Sequence, residues 1–367
     1  MARSHQAVVS GVGLISACGT TLAAHLAALD APPNAPDPVP FAPHAVYRAA
    51  PFDAAWAIPS KSDRRQMEPW QVLGVTAARM ALDSAGLTET DALGELYLNI
   101  CANGGARETD IDFEVLDALR SAPEPEADLV GALARKLRPS FLLGQLSNIL
   151  AGNIAIILGV GGGARTFMGD EMAGVDAVAD AVARVAAGQS DRIMVGGVLD
   201  AERADLILAL ALGGRLATGA APSVLDPSRQ GMVPGSVAAF LVIEAAEAAQ
   251  ARGARALAKL GPVTTAANAG ALQDLSSDES GNAPDLVFAG VSGVQPETTQ
   301  ALAALRDGNP AAQVLVSSDL AGHAIEAQFP FDVALAALTI DAGRATRVLT
   351  TTACDGGAAA IHLGQAT

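Results

Sequence analysis

Aromatic residues make up only 4% of this 367-residue chain, and charged residues only 17%. With 50% hydrophobic content, such a chain is a soluble globular protein, long enough to bury a large core in one big domain or two fused ones. Cysteine is scarce: Cys18, Cys101 and Cys354 are widely spaced, with no Cys-x-x-Cys pair. That excludes a disulfide framework and a zinc signature, suggests a reducing cytosol, and leaves the three thiols as small core hydrophobes. Basic residues are also few. With 23 Lys and Arg against 39 Asp and Glu, the formal charge of −16 argues against nucleic acid and anionic membrane surfaces as direct partners. It also disfavours docking an acidic carrier protein without help.

No apolar run is free of interruption. Residues Ala7 to Ala17 follow a basic start and resemble an export signal, but Gly11 and Gly13 interrupt them, and Val8, Val9, Val12 and Ile15 suit a buried strand. The uncharged run from Phe141 to Gly163 could span a bilayer by length. Gln145, Ser147, Asn148 and Asn153 punctuate it, and Gly161 to Gly163 end it, so it reads as a buried core helix.

What is present is an alternation of strands and helices. The opening strand and glycine turn lead to a short helix and a proline-rich loop from Pro32 to Pro43, expected to be exposed. Leu73, Ala77, Met80 and Ala81 recur at helical spacing between Pro69 and Ser84, and Gly86 is a stop signal. Leu96 to Cys101 reads as a buried strand ending at Asn103-Gly104-Gly105, and Ala122 to Asp128 as a second surface loop. A helix over about 147–158, a strand over 164–168, a helix over 172–187 and a strand at Ile193 to Val195 closed by Gly196-Gly197 follow. The later chain repeats this grammar: Gly188, Arg192, Ile193 and Met194 match Gly343, Arg347, Val348 and Leu349 at one fixed offset. Leu286 to Gly290 echoes Leu96 to Gly104, and Ala7 to Ala17 echoes Lys259 to Ala267. Any α/β protein shows some echoes; the preferred reading is an internally duplicated α/β unit.

The stretch from Thr166 to Gly174 reads as strand, sharp turn and helix N-terminus, where a nucleophile is easily exposed and its anion is favoured by the helix dipole. At its centre stands Glu171. A carboxylate is a poor acyl-transfer nucleophile.

Taken in order, four motifs resemble the β-ketoacyl synthase branch of the thiolase-like superfamily. They are the opening Val8 to Ser16, the Asp-x-x-Arg-x-Gly segment within Leu225 to Gly235, the helix end Ala249 to Ala254, and Ser317 to His323. The resemblance covers nearly the whole chain and implies a thiolase-like, duplicated five-layer αβαβα fold and an obligate dimer. It divides the chain into an N-terminal half over residues 1–250, which carries the elbow, and a C-terminal half over 251–367. A working synthase of this family needs an elbow cysteine, two histidines and a lysine: a thiolate to accept the acyl chain, imidazoles to stabilise the oxyanion, and a cation for the site's electrostatics. By the resemblance, the cysteine becomes Glu171, the first histidine Ala289 and the lysine Asp319, while His323 is retained. The glycine-rich gate becomes Asp355, Gly356 and Gly357 behind Cys354. No cofactor or metal is called for.

This pattern implies a degenerate site. The leading expectation is a chain-length-factor-like subunit of a type II polyketide, aryl polyene or fatty-acid-like pathway, without its own catalysis. It would pair as a heterodimer with a catalytic ketosynthase homologue, meet the acyl carrier protein indirectly through that partner, and shape the acyl tunnel in the cytoplasm. The scarcity of aromatics suggests an aliphatic-lined interface. The alternative is a stand-alone acyl-thioester enzyme, a malonyl decarboxylase or a hydrolase, using Glu171 and His323. Against the decarboxylase, an ionised Glu171 would repel a malonyl carboxylate. Glu171 could equally be a structural carboxylate held by backbone N–H groups, and His323 a satisfied core histidine.

Overall fold

The computed structural model describes residues 5–88, 90–105, 107, 109–121, 125–136, 139–219, 221–278 and 281–366. Its strands are β1 (Ala7–Ile15), β2 (Asp37–Phe41), β3 (His44–Val46), β4 (Tyr97–Cys101), β5 (Ala164–Phe167), β6 (Arg192–Leu199), β7 (Val237–Ala245), β8 (Ala258–Ala266), β9 (Leu286–Gly290), β10 (Gln313–Leu315), β11 (Arg347–Cys354) and β12 (Gly357–Gly364). β1 and β7 are buried at every position, and β6 and β11 at all but their first. Strands covered on both faces read as continuous apolar runs, which is why the sequence shows little alternation here.

β2 and β3 pair with each other; the other strands form one ten-stranded sheet in the order β10-β9-β11-β12-β8-β1-β7-β6-β4-β5. Read outward from its middle, the sheet repeats itself. β1, β7, β6, β4 and β5 follow one another with the same parallel and antiparallel senses as β8, β12, β11, β9 and β10. The echoes in the sequence fall on equivalent strands, as a duplicated unit requires. The two half-sheets join where β1 meets β8, through Ala7↔Leu260, Val8↔Lys259 and Val9↔Ala258.

Three apolar clusters separate the layers. The central one packs the elbow helix Glu171–Ala186 and the helix Gln328–Asp341 against both half-sheets. A second lies between the first half-sheet and the helices Pro69–Ala85 and Ile149–Leu158, and a third between the second half-sheet and Glu297–Gly308. The fold is α/β in five layers. The helix Pro69–Ala85 begins at a Glu68 and Gln71 capping box with Pro69 in its first turn, and ends at left-handed Gly86. It rides directly on β1: a Cβ at Gly13 would collide with the Ala77 carbonyl and lie 2.6 Å from the Ala81 nitrogen. The glycines that interrupt the opening strand are therefore the groove for this helix.

Three expectations need correction. The run from Phe141 to Gly163 is not one buried helix: Pro139–Gly144 and Ile149–Leu158 are separate, and Leu142, Leu143, Leu146 and Ile156 are exposed. Of the second surface loop, 122–124 lie outside the described residues, and Pro125 already begins the helix Pro125–Lys136. Gly196 and Gly197 do not close β6 but lie inside it, where a Cβ at Gly197 would collide with the Cys101 thiol. No helix among the described residues is long and apolar enough to cross a membrane.

One close approach fixes the height of the elbow helix. Added at Gly174, a Cβ would collide with the Glu326 carbonyl and lie 2.9 Å from Pro330 Cδ. Gly174→Ala should destabilise the fold by about 1–3 kcal/mol through overpacking, read as a lower midpoint in denaturant unfolding.

Candidate functional site

Glu171 is the first residue of the elbow helix, directly after β5 and the turn at Gly169 and Asp170. The N-cap is Asp170, whose Oδ1 accepts from the Met172 N–H at 3.1 Å. Glu171 itself is 1% exposed.

His323 reaches it from the other half of the chain. The four-residue helix Ser318–Ala321 ends at Gly322, whose φ is 78° and whose Cβ would lie 2.6 Å from the Gly235 Cα. Only glycine fits there, and the two backbones lock: the His323 N–H donates to the Val233 carbonyl at 2.9 Å and the Gly235 N–H to the His323 carbonyl at 3.0 Å. The segment Leu225 to Gly235 is thus the clamp on His323. Its Arg229 is spent on the Gly231 and Pro222 carbonyls and does not face the pocket.

Across the central layer, His323 Nε2 lies 2.9 Å from Glu171 Oε1. Both residues are buried. The other ring nitrogen, Nδ1, is 3.2 Å from the Ser318 hydroxyl, which also lies 2.9 Å from the Val291 carbonyl. Arg215 brings Nη2 to 3.7 Å from the same Glu171 Oε1. Burial alone would push the Glu171 carboxyl up, but the hydrogen bond and charge of His323, a backbone N–H and the Arg215 guanidinium outweigh it and hold the group below its ordinary value. Glu171 Oε2 is buried without a hydrogen-bond partner among the described residues.

Further buried groups lie in the central layer, of which the sequence reading named only Cys354, before the gate. Glu326 is buried, with Oε1 accepting the Asn103 N–H at 2.9 Å; burial chiefly, and nearby Glu171, push its carboxyl up to about 7. Burial pushes Asp332 up to about 7 as well, against the hydrogen bonds from Ser317 and Gln328. Cys354 ends β11 beside the elbow, and burial together with Glu171 and Asp170 pushes its thiol up to about 12. None of these has a spacing signature, because each acquires its neighbours through tertiary packing.

Two expected site positions are not brought to the pair. Asp319 points away: Oδ1 accepts the Val224 N–H at 2.8 Å and Oδ2 the Ser223 hydroxyl at 2.5 Å. One residue earlier, Ser318 is the side chain that touches His323. Ala289 faces the outer cluster of the second half-sheet, whereas Gly290, next along β9, faces Asp332 in the central layer. A one-residue step along a strand reverses the face, and one step along a helix turns the side chain through about 100°. Of the gate positions, Asp355 and Gly356 are exposed in the turn between β11 and β12, and Gly356 lies against Met172 and Asp170; Gly357 opens β12 with φ 134°. The carboxylate is held mainly by His323, with a backbone N–H and then Arg215 adding to it, rather than by backbone N–H groups alone.

Chemically, a carboxylate, an imidazole and a hydroxyl in series can hold and pass a proton. The elbow position itself carries a carboxylate, and the nearest thiol, that of Cys354, comes from the end of β11. Two surface cavities, of about 310 Å³ beside Cys18 and Leu320 and about 430 Å³ beside Tyr97 and Arg192, are not lined by Glu171 or His323.

The pair should matter for stability. Glu171→Ala strands His323 and should cost about 3 kcal/mol or more, whereas Glu171→Gln keeps an acceptor for Nε2 and should cost clearly less. The lowered carboxyl of Glu171 contributes stability above its unfolded value of 4.5, lost as pH falls through the lower folded value. Glu326 has the opposite sign: raised from 4.5 to about 7, it penalises the folded state increasingly as pH rises across that window. Glu326→Gln should therefore gain on the parent between pH 4.5 and about 7 and level off above, in unfolding curves stepped through pH.

The β-ketoacyl synthase N-terminal domain family matches residues 6–249. The chain is 29% identical over 232 residues to the 3-oxoacyl-(acyl-carrier-protein) synthase 2 of Vibrio harveyi, covering 61% of this chain and 52% of that protein. To the enzyme of the same description from Vibrio cholerae it is 27% identical over 290 residues, covering 75% and 66%. The chain thus spans about half to two thirds of the length of these relatives. Among solved structures, the ishigamide ketosynthase/chain length factor superposes with a TM-score of 0.82 at 22% identity, covering 99% of this chain and 100% of that one. A β-ketoacyl synthase from Burkholderia phymatum gives 0.80 at 16% identity, covering 99% and 100%. At such identities these two establish the thiolase-like fold alone. The sequence match across the first and larger part of the chain goes further, and by it the chain belongs to the β-ketoacyl synthase family.

Proposed function

We propose that this chain is a chain-length-factor-like subunit without acyl-transfer chemistry of its own. In this reading it pairs with a cysteine-bearing ketosynthase, shapes the acyl tunnel of the pair, and meets the acyl carrier protein through that partner. The pathway would be acyl chain elongation of the type II polyketide, aryl polyene or fatty-acid-like kind, in the cytoplasm. One observation carries the reading: the position that would present a nucleophile holds a buried carboxylate committed to His323 and Arg215. A group so engaged and so enclosed is not an acyl acceptor.

Two further features support it. Next to the edge strand β5 lie the exposed apolar side chains of Met168, which follows it directly, and of Ile156 on the helix Ile149–Leu158 that packs against it, with Leu146 adjoining in sequence Ser147, whose hydroxyl meets Met168. A surface of that kind fits a permanent protein partner. The acidic balance of the chain assigns the cationic docking surface for a carrier protein to the partner.

The second reading, a stand-alone hydrolase or malonyl-thioester decarboxylase, draws on the 2.9 Å contact between Glu171 and His323. The lowered carboxyl of Glu171 counts against decarboxylation, since an anion there repels a malonyl carboxylate.

Co-expression with a cysteine-bearing synthase of the same cell, followed by native mass spectrometry and product assay, tests the proposal. A one-to-one complex is expected, in which Glu171→Gln leaves product formation unchanged and replacement of the partner's elbow cysteine abolishes it. A homodimer that turns over acyl thioesters and loses activity in Glu171→Gln overturns it. Met168→Asp should weaken the complex by about tenfold or more, through a charge placed in a desolvated apolar contact.

A further inference from the structure

We infer that the start of the elbow helix and the end of β11 form a binding site for one borderline divalent cation of the zinc or cobalt class, with Cys354, Asp170 and Glu171 as donors. The inference is independent of the subunit role proposed above. One ligand atom from each of the three, a sulfur and two carboxylate oxygens, all lie within 4.8 Å of one another. That spacing needs only small side-chain adjustments to close around an ion.

A second observation points to a ligand. Glu171 is 1% exposed, and its Oε2 has no hydrogen-bond partner among the described residues, although Oε1 is held by His323. A buried, unpartnered carboxylate oxygen is costly unless something binds it. A cation supplied between Asp170 and Cys354 would satisfy it.

The charge count agrees. Arg215 and His323 both engage Glu171, so neither offsets Asp170 or a Cys354 thiolate. Those two negative charges match one divalent ion. The ion's bond to sulfur replaces the S–H bond, and the thiol proton passes to solvent with no change of oxidation state. Sulfur among the donors selects a borderline ion over magnesium or calcium, which take all-oxygen shells.

The surroundings allow entry and hold the donors. Asp170 is only half-buried, leaving a face for water ligands. The turn after Cys354 rests on the helix start, where a Cβ at Gly356 would lie 3.3 Å from Met172 Cγ and 3.6 Å from Asp170 Oδ1. Sequence reading expected no metal because the donors come from opposite halves of the chain, and no spacing motif joins them.

The test is titration of the metal-stripped, untagged full chain with cobalt(II), followed in the near ultraviolet for thiolate-to-cobalt charge transfer. The proposal expects a band that saturates at one cobalt per chain and is displaced by zinc. Cys354→Ser should abolish the band, and Cys18→Ser should leave it intact. Asp170→Asn keeps an oxygen to cap the helix, so it should fold as the parent does and bind cobalt about tenfold or more weakly. No band in the folded parent chain, or a band that survives Cys354→Ser, overturns the proposal. Should the chain prove to lack a synthase partner, the cobalt result is unaffected, so the two readings fail separately.

Discussion

The contact between Glu171 and His323 organises the middle of this molecule. It joins the first turn of one central helix to the loop before the other, and so ties the two halves of a duplicated fold through their shared central layer. A charged carboxylate at that depth requires compensation, which His323, Arg215 and a backbone N–H provide. Remove it, and a histidine closed in by Ser318 and by the Val233 and Gly235 backbone keeps its Nδ1 contact with Ser318 but has no partner for Nε2 among the described residues.

Much of the architecture was legible in the sequence because it rests on local rules. The helix from Pro69 announced itself by periodicity, a proline start and a glycine stop, and the duplication by residues repeated at one offset. The broken helix between Phe141 and Gly163 was not, since an uncharged run looks the same whether its leucines face a core or an open surface. At the site, Glu171 and His323 could be singled out from the sequence, and the structure brings the two into contact. Ser318 rather than Asp319 meets His323, and Gly290 rather than Ala289 faces the central layer, because only the backbone decides which position turns inward. Arg215, Glu326, Asp332 and Cys354 were invisible in their roles, since their proximity is made by packing alone.

The buried carboxylates form a graded series. Glu171 is held low by His323, a backbone N–H and Arg215, whereas in Glu326, despite the charge of Arg203, and in Asp332 the same desolvation prevails and pushes the group toward neutrality. Position relative to Arg215 and His323 therefore decides the state of each group more than depth does. A core of this kind keeps its polarity through directed hydrogen bonds, from Asn103 to Glu326 and from Ser317 and Gln328 to Asp332.

The central layer also sets an order of assembly. One of its helices, Glu171–Ala186, is made well before the other, Gln328–Asp341, which is buried at every position from Gln328 to Ile340. Each is packed on both half-sheets, so neither half can close its core alone. The first half must therefore wait on the ribosome with the inner face of its helix uncovered. The nascent chain is at its most vulnerable to misassociation during that interval, and it is the late arrival of a single helix that ends it.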